Sequence, residues 1–346
     1  MARDLSHRNP SSRRRTAARV AALTLLIGAG VAFGAEPKEW LERMNKALTT
    51  RNYVGVFTHV HGGRVETLRI IHRVRGRDVS ERLLSLDGSG REVIREGNEL
   101  ICYFPDKRTV LVERRAPDGA LLGALPAIDE GNALVYEIRG GQRERLLGRT
   151  TRVVALHPRD EYRYGYRLWI DEQTSMPLKT QLCNQSGEVI EQIVFSTIDL
   201  PERIPDSMFK PQMDASTYRW LRADRQVASH SAPALWDAMR LPPGFRMATR
   251  SAQAMPGSSE PVAHLVYTDG IASVSVFVEP RKPDTKPSEG PSRVGSSSAF
   301  STVVDGHQVT AVGEVPPNTV ELIAKQVKAS KAAAATEGLG LAPRRK

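Results

Sequence analysis

The chain contains 346 residues, carries a formal net charge of +10 and is 40% hydrophobic. This length exceeds that of one typical domain and favours two domains. Beyond the N-terminus, no apolar run approaches the roughly 18 residues that a membrane-spanning helix requires, which argues against a membrane-embedded protein.

Residues 1–34 are predicted to be a signal peptide. Six arginines precede an apolar run from Val20 to Phe33, and Ala32-Phe33-Gly34 fits a cleavage site with small residues at its ends. An uncleaved membrane anchor is the alternative, but the run is short and contains two glycines. The pair Arg14-Arg15 is typical of twin-arginine export, but the apolar residues that should follow it are absent. We therefore expect export by the general secretory route into the periplasm.

Export changes the meaning of the positive net charge. Six arginines and one aspartate leave with the leader, so the charge falls from +10 to +5 in the mature chain. Nucleic-acid binding thereby loses its main support, and no nucleic-acid partner is predicted. Residues 330–346 form a basic tail rich in alanine and glycine, which is predicted to be disordered.

The mature chain has two cysteines, Cys102 and Cys183. The periplasm is oxidising, so a disulfide between them is allowed. Two buried thiols are the alternative, because the sequence does not show whether the two Cβ atoms meet. Neither cysteine has a second one at metal-binding spacing, which argues against a zinc site.

The mature chain opens with a predicted helix from Lys38 to Thr49, in which Trp40, Met44 and Leu48 form one apolar stripe. From Tyr53 onward the period changes to two, and short strands are joined by tight turns. The predicted strands are Tyr53–Val60, Val65–Val74, Asp78–Leu86, Arg91–Arg95, Leu100–Phe104, Thr109–Glu113, Arg143–Gly148, Arg152–Leu156, Tyr162–Ile170, Leu178–Asn184 and Val189–Ile198. Residues 35–200 are therefore predicted to form a large, strongly curved antiparallel sheet with the helix against it, whose interior is either filled or a pocket.

Two further regions interrupt or follow this sheet. Residues 116–141 are apolar but rich in proline and glycine, which indicates a loop or a short helix lying on the sheet. Residues 201–232 are polar and rich in proline, which predicts a connector between domains.

A smaller α+β domain is predicted at 233–329. It contains two hairpins, Val262–Thr268 with Ile271–Glu279 and Ala299–Asp305 with Gln308–Val315. Asn318 is predicted to cap a final helix, with Glu321 completing a capping box. The whole chain is thus predicted to be mainly β.

No motif of catalytic specificity is present, because Gly-x-Ser-x-Gly, His-Glu-x-x-His and the phosphate loop are all missing. His59 and His61 could share a strand face as half of a metal site, but no third ligand follows at useful spacing. Two exposed histidines at a hairpin end are the simpler interpretation. The sequence therefore predicts neither an enzyme nor a resident metal or cofactor.

Two groups of side chains are candidates for ligand contact. Arg69, Arg73, Arg163 and Arg167 occupy strand faces that are either simply solvated or contact anions such as lipid phosphates. Tyr164 and Tyr166 share a strand face that is either part of the core or the lining of a pocket.

A set of short segments, in the same order along nearly the whole mature chain, carries a family resemblance. The segments are Met44-Asn45 through Asn52-Tyr53, Leu86-Asp87-Gly88, Arg91-Glu92-Val93, Arg95-Glu96-Gly97-Asn98-Glu99, Tyr103-Phe104, Tyr164 through Trp169-Ile170-Asp171, Met176-Pro177-Leu178, Leu241-Pro242-Pro243-Gly244-Phe245, Tyr267-Thr268-Asp269-Gly270 and Val312-Gly313-Glu314-Val315-Pro316-Pro317. No single segment is specific, but the ordered set resembles the RseB/MucB family of periplasmic sigma-E regulators. The long arginine-rich leader and the basic tail depart from that family.

The resemblance implies a large domain similar to periplasmic lipoprotein carriers, a half-barrel with helices on its concave side. It further implies binding to the periplasmic part of a membrane-spanning anti-sigma factor, protection of that factor from regulated proteolysis, and release by lipopolysaccharide or other lipid. A lipid or lipoprotein carrier and an uncharacterised hydrolase are the rival interpretations, and a homo-oligomer stays open. The residues predicted to bind lipid are Trp40, Met44, Leu48, Leu68, Ile70, Arg69, Arg73, Tyr164 and Tyr166.

Overall fold

The computed structural model describes residues 36–88, 90–114, 132–223, 236–253, 262–281, 287–295 and 297–329. The predicted signal peptide and basic tail lie outside these residues, as does most of the predicted loop at 116–141. The described residues fall within one compact unit. Among them, no helix is both long and apolar enough to cross a membrane.

Helix α1 spans Pro37–Thr50, slightly longer than predicted at both ends. Pro37 occupies the first turn, where a missing N–H is tolerated because that group has no partner inside the helix. The predicted apolar stripe faces the protein interior. The buried residues of α1 are Trp40, Leu41, Met44, Ala47 and Leu48.

A twelve-stranded sheet forms the larger part of the fold. Its strands are β1 Tyr53–His61, β2 Arg64–Arg75, β3 Asp78–Ser85, β4 Glu92–Glu96, β5 Glu99–Phe104, β6 Thr109–Arg114, β7 Tyr136–Leu146, β8 Arg149–Pro158, β9 Gly165–Asp171, β10 Pro177–Cys183, β11 Val189–Asp199 and β12 Arg219–Ala223. They are ordered β12-β6-β5-β4-β3-β2-β1-β11-β10-β9-β8-β7. All neighbours are antiparallel except β12, which runs parallel to β6. The predicted large antiparallel sheet is confirmed.

The large sheet has two distinct faces, because neighbouring residues of a strand point to opposite sides. The inner face is the one on which α1 packs, and it carries Leu68 and Ile70 of β2. The outer face carries the residues between and beyond them, including Arg69, Ile71 and Arg73. A separate small cluster of apolar residues around Ile71 covers part of this outer face.

Residues 201–223, which the sequence predicted to be part of a connector, lie against the outer face of the large sheet. Within residues 201–218, here called the outer strap, Ile204 and Phe209 are buried against Ile71. Strand β12 then follows and joins the sheet edge. The prolines of this segment suit an extended strap, which is why its composition resembles that of a flexible linker.

Strand β7 begins well before the predicted strand at 143, because two glycines that suggested a loop instead allow close packing. A Cβ on Gly140 would lie 2.8 Å from Cγ of Pro37 in α1. A Cβ on Gly141 would lie 2.3 Å from the carbonyl oxygen of Val153 in β8. The pairing of β7 with β8 shifts register at this point, which is the mark of a β-bulge.

A six-stranded sheet forms the smaller part of the fold, in the order β14-β15-β16-β19-β18-β17. Its strands are β14 Arg246–Gln253, β15 Val262–Thr268, β16 Ser273–Pro280, β17 Gly290–Val294, β18 Ser297–Val304 and β19 His307–Gly313. Both predicted hairpins are present, as β15 with β16 and β18 with β19. A short pair, β13 Trp236–Ala238 with β20 Val327–Ala329, lies beside them. The sequence did not predict β14 or β17.

Helix α2 spans Pro317–Gln326 and packs on the smaller sheet through Val320, Ile323 and Ala324. The predicted capping box is wrong. Pro316 occupies the cap position without a side-chain hydrogen bond, so the helix starts from a pair of prolines whose fixed φ suits a first turn. Glu321 instead accepts a hydrogen bond from Lys325 Nζ at 2.6 Å.

Candidate functional site

The helix stripe that was predicted to line a lipid pocket is packed into the main core. Trp40, Met44 and Leu48 are at most 8% exposed, and Leu68 and Ile70 belong to the same cluster. Met44 and Ile70 have no exposed surface. These residues fill the space between α1 and the inner face, so they do not form the wall of an open cavity.

Arg69 and Arg73 lie on the outer face, on the other side of the sheet from the helix stripe. They do not line one pocket with Ile70, because successive strand residues point in opposite directions. Arg73 is buried, and its guanidinium donates to Asp206 Oδ1 at 2.5 Å and to the carbonyl oxygen of Ile204 at 3.2 Å. Arg73 therefore anchors the outer strap.

A cavity of about 360 Å³ lies between the outer face and the outer strap. Arg69 lines it together with Arg82 and Lys210, and Ile71 and Leu84 supply apolar walls. Contact between Arg69 and an anion therefore stays a prediction, now located on the outer face.

Tyr164 and Tyr166 occupy different surroundings. Tyr164 precedes β9 and is 7% exposed, whereas Tyr166 packs against the main core. Tyr166 also borders a cleft of about 470 Å³, together with Arg159 and Arg167. Burial raises the pKa of the Tyr166 hydroxyl.

An apolar row that was not predicted from the sequence crosses the inner face. Buried Ile70 pairs with Leu83, and from there Val93, Cys102 and Leu111 follow as direct partners on β4, β5 and β6. The last four, here called the inner apolar row, are each partly exposed. The alternation within each strand is visible in the sequence, but the register that aligns these residues is not.

A buried polar network borders the inner apolar row. His72, Glu81 and Arg95 are direct partners on β2, β3 and β4. Glu81 accepts hydrogen bonds from His72 Nδ1 at 3.0 Å and from Arg95 Nη1 at 3.1 Å, and it has no exposed surface. A carboxylate so buried requires such partners. The inner face thus presents the inner apolar row beside a buried glutamate, Glu81, whose charge is balanced by Arg95.

The smaller sheet is joined to the large one around Arg163, which has no exposed side-chain surface. Arg163 Nη1 donates to Asp269 Oδ2 at 2.6 Å, and Nη2 donates to the carbonyl oxygen of Pro243 at 2.5 Å. The hydroxyl of Thr319, in the first turn of α2, donates to the carbonyl oxygen of Tyr162 at 2.8 Å. These directional contacts fix the smaller sheet against the end of β9.

His59 and His61 lie on one face of β1, as the sequence suggested. The neighbouring strand β11 places Glu191 directly opposite His61. His59 Nε2 donates to Glu191 Oε1 at 3.0 Å, and this hydrogen bond raises the pKa of His59 despite its partial burial. Although burial works against it, contact with the two histidines lowers the pKa of Glu191.

No disulfide joins Cys102 and Cys183. They lie on β5 and β10, which are separated by five strands, so the path along the sheet is roughly 29 Å at about 4.8 Å per strand. A disulfide needs Cα atoms within about 7 Å of each other. Burial raises the pKa of the Cys183 thiol, the opposite of what a reactive thiolate requires.

Two family domains match this chain in the order in which its two sheets occur. The MucB/RseB N-terminal domain matches residues 36–213, and the MucB/RseB C-terminal domain matches residues 230–328. The sigma factor AlgU regulatory protein MucB of Pseudomonas aeruginosa is 31% identical over 325 residues, which cover 91% of this chain and 99% of that protein. The sigma-E factor regulatory protein RseB of Escherichia coli K12 is 28% identical over 294 residues, which cover 83% and 89% respectively.

Solved structures of similar proteins share the arrangement. The complex structure of Pseudomonas aeruginosa MucA/MucB matches with a TM-score of 0.68 and 28% identity, covering 86% of this chain and 99% of that one. A crystal structure of MucB in complex with MucA(peri) matches with a TM-score of 0.67 and 28% identity, covering 85% and 99% respectively. The similarity therefore extends over both sheets.

Proposed function

The chain belongs to the MucB/RseB family, and from that premise we propose that it restrains an envelope-stress sigma factor by binding the periplasmic region of a membrane-spanning anti-sigma factor. Bound there, it shields the anti-sigma factor from regulated proteolysis, so the sigma factor stays inactive. The observation that carries this proposal is the similarity, over 85% of this chain, to a MucB whose crystal structure is a complex with MucA(peri). The predicted signal peptide supports a periplasmic location.

The proposed signal for release is the acyl part of lipopolysaccharide or another lipid. The inner apolar row supports this proposal, because its four side chains are continuous with the core and yet partly exposed. Each methylene group buried there contributes about 0.8 kcal/mol. Release requires that lipid and anti-sigma factor prefer different states of the protein, since equal affinity for both states shifts nothing.

A protection assay tests the regulatory proposal. The mature chain is mixed with the purified periplasmic region of the anti-sigma factor from the same bacterium, and the regulated protease is added. We expect cleavage to slow as the two proteins approach equimolar amounts, and cleavage of an unrelated substrate to stay constant. An unchanged cleavage rate at saturating amounts of the chain would refute the proposal.

A displacement assay tests the release signal. Acylated and deacylated lipopolysaccharide are titrated separately into the preformed complex. We expect the acylated form to displace the anti-sigma factor and the deacylated form to leave the complex intact. Equal displacement by both forms would assign the trigger to phosphate groups, for which Arg69 and its cavity on the outer face would be the site.

A periplasmic lipid or lipoprotein carrier is the second candidate, and the inner apolar row is the observation that favours it. A carrier moves its cargo between membranes, whereas a regulator needs only to sense it. Transfer of a fluorescent acylated lipoprotein between two vesicle populations separates these roles. Catalytic acceleration of transfer, without protection of the anti-sigma factor, would favour the carrier.

A further inference from the structure

Two histidines and a glutamate converge where the large sheet meets the smaller one. His59 and His61 alternate on the same face of β1, and Glu191 stands opposite His61 on β11. The ligand atoms of these three residues all lie within 4.8 Å of one another. The strand pattern around His59 and His61 does not indicate this third group, because the pairing of β1 with β11 joins distant parts of the chain.

The distances between these atoms suit one shared ion. His59 Nε2 lies 3.0 Å from Glu191 Oε1, and His61 Nδ1 lies 3.7 Å from Glu191 Oε2. Donor atoms around a tetrahedral zinc ion with bonds of about 2.0–2.1 Å are about 3.3 Å apart. Small side-chain movements therefore bring all three groups to coordination distance, and two imidazoles with a carboxylate are a donor set that zinc accepts.

Two of these atoms are buried and too far apart, at 3.7 Å, to hydrogen-bond to each other. His61 Nδ1 and Glu191 Oε2 are shielded from solvent and make no hydrogen bond within the described part of the chain. Buried polar atoms nearly always have a hydrogen-bond partner, so the lack of one at both atoms needs an explanation. An ion placed between the two atoms satisfies both of them.

The smaller sheet closes the cluster from the other side. Glu314, which directly follows β19, lies close enough to His59 and Glu191 to interact with both electrostatically. At Gly295, a Cβ would lie 2.8 Å from His61 Nε2, so the glycine allows the turn after β17 to approach the imidazole ring.

We propose that His59, His61 and Glu191 bind a divalent transition-metal ion, with Zn²⁺ as the best-suited ion. All three ligands come from the large sheet, and the negative charge of Glu314 from the smaller sheet adds to the attraction for the ion. This proposal does not depend on the regulatory function proposed above.

Isothermal titration of EDTA-treated mature protein with ZnCl₂ tests the site directly. We expect one ion per chain and a rise in the thermal unfolding temperature on binding. His59→Gln and Glu191→Gln should each weaken binding by at least about tenfold. Loss of a group that only hydrogen-bonds to a metal ligand already has an effect of that size. His157→Gln, which changes an exposed histidine of β8, should bind as the wild type does. Glu314→Gln should weaken binding and reduce the thermal shift.

A variant that fails to fold would also lose metal binding, so a second measurement uses the wild-type chain. Co²⁺ bound at the proposed site should give the visible absorption bands of a four-coordinate ion, and one equivalent of Zn²⁺ should abolish them. The proposal is wrong if the wild-type chain shows no saturable Zn²⁺ binding. It is also wrong if the double variant His59→Gln/His61→Gln retains the absorption, or if Mg²⁺ competes as effectively as Zn²⁺.

Discussion

Arg163 and Asp269 form an ion pair at 2.6 Å that joins the two sheets, and neither side chain has any exposed surface. Arg163 also donates to Asp160 Oδ1 at 3.0 Å. Asp269 Oδ1 in turn accepts the backbone N–H groups of Ile271 and Ala272. The pair therefore belongs to a saturated network in which neither charge has access to water.

Asp269→Asn should destabilise the protein by about 3–5 kcal/mol, because it leaves the buried Arg163 guanidinium with only the more exposed Asp160 as a counter-charge. Urea denaturation measures this loss. Glu137→Gln, which breaks an exposed pair with Arg139, should leave the unfolding curve in place. A loss for Asp269→Asn no greater than that of this exposed control would mean that water reaches the buried pair.

Met44→Ala should destabilise the protein by about 2–5 kcal/mol, because Met44 fills the space between α1 and the inner face. Met239→Ala is the matched control, since Met239 is 71% exposed. Both values follow from denaturant titration. If the two substitutions cost the same, the helix stripe would face an open space, as the sequence-based lipid-pocket interpretation required.

Leu111→Asp should weaken the binding of a fluorescent fatty acid by about tenfold, equivalent to about 1.4 kcal/mol, because it places a charge in the inner apolar row. Val65→Asp is the control, since Val65 is an apolar residue of β2 that is 63% exposed. Fluorescence titration gives both affinities. Equal affinities in the two variants would move the acyl site away from the inner face.

The contribution of Asp206 to stability should vary with pH. A hydrogen bond from Arg73 and the charge of Arg75 lower the pKa of Asp206 in the folded state. A carboxyl group with a lowered pKa stabilises the fold above its unfolded pKa, and this stabilisation is lost as the pH falls through the folded value. The stability difference between wild type and Asp206→Asn should therefore be largest near neutral pH and vanish in acid.

A double-mutant comparison assigns this effect to the outer strap. In an Arg73→Met background, Asp206→Asn should change stability less than it does in the wild type, because the main partner is already gone. Thermal denaturation between neutral and acidic pH provides all four stabilities. A pH dependence that survives unchanged in Arg73→Met would point to Arg75 instead.

Local periodicity was enough to predict much of the fold. The stripe of α1 follows from helical spacing, and the strands of the large sheet follow from alternation with turns. The alternation of side chains along β2 also contradicts part of the predicted lipid site. Since Ile70 points to the inner face, Arg69 must point to the outer one, so both could not line one pocket.

Contacts between residues that are distant in the sequence could not be predicted from local patterns. Nothing near Arg163 indicates that its counter-charge is Asp269, and nothing near His61 indicates Glu191. Strand β12 was missed because it is a short parallel edge strand within a proline-rich segment. These features depend on pairing between distant segments, which periodicity within one segment does not encode.

The pairing of β1 with β11 has a consequence for how the protein folds. This central pairing joins Val54 to Asp199 and His61 to Glu191, whereas the other antiparallel neighbours in the large sheet follow one another in the chain. Contacts between distant residues form slowly, because the loop between them must close first. The predicted export, N-terminus first, would expose β1 long before β11. The pairing that joins the two halves of the large sheet therefore cannot form until β11 has emerged.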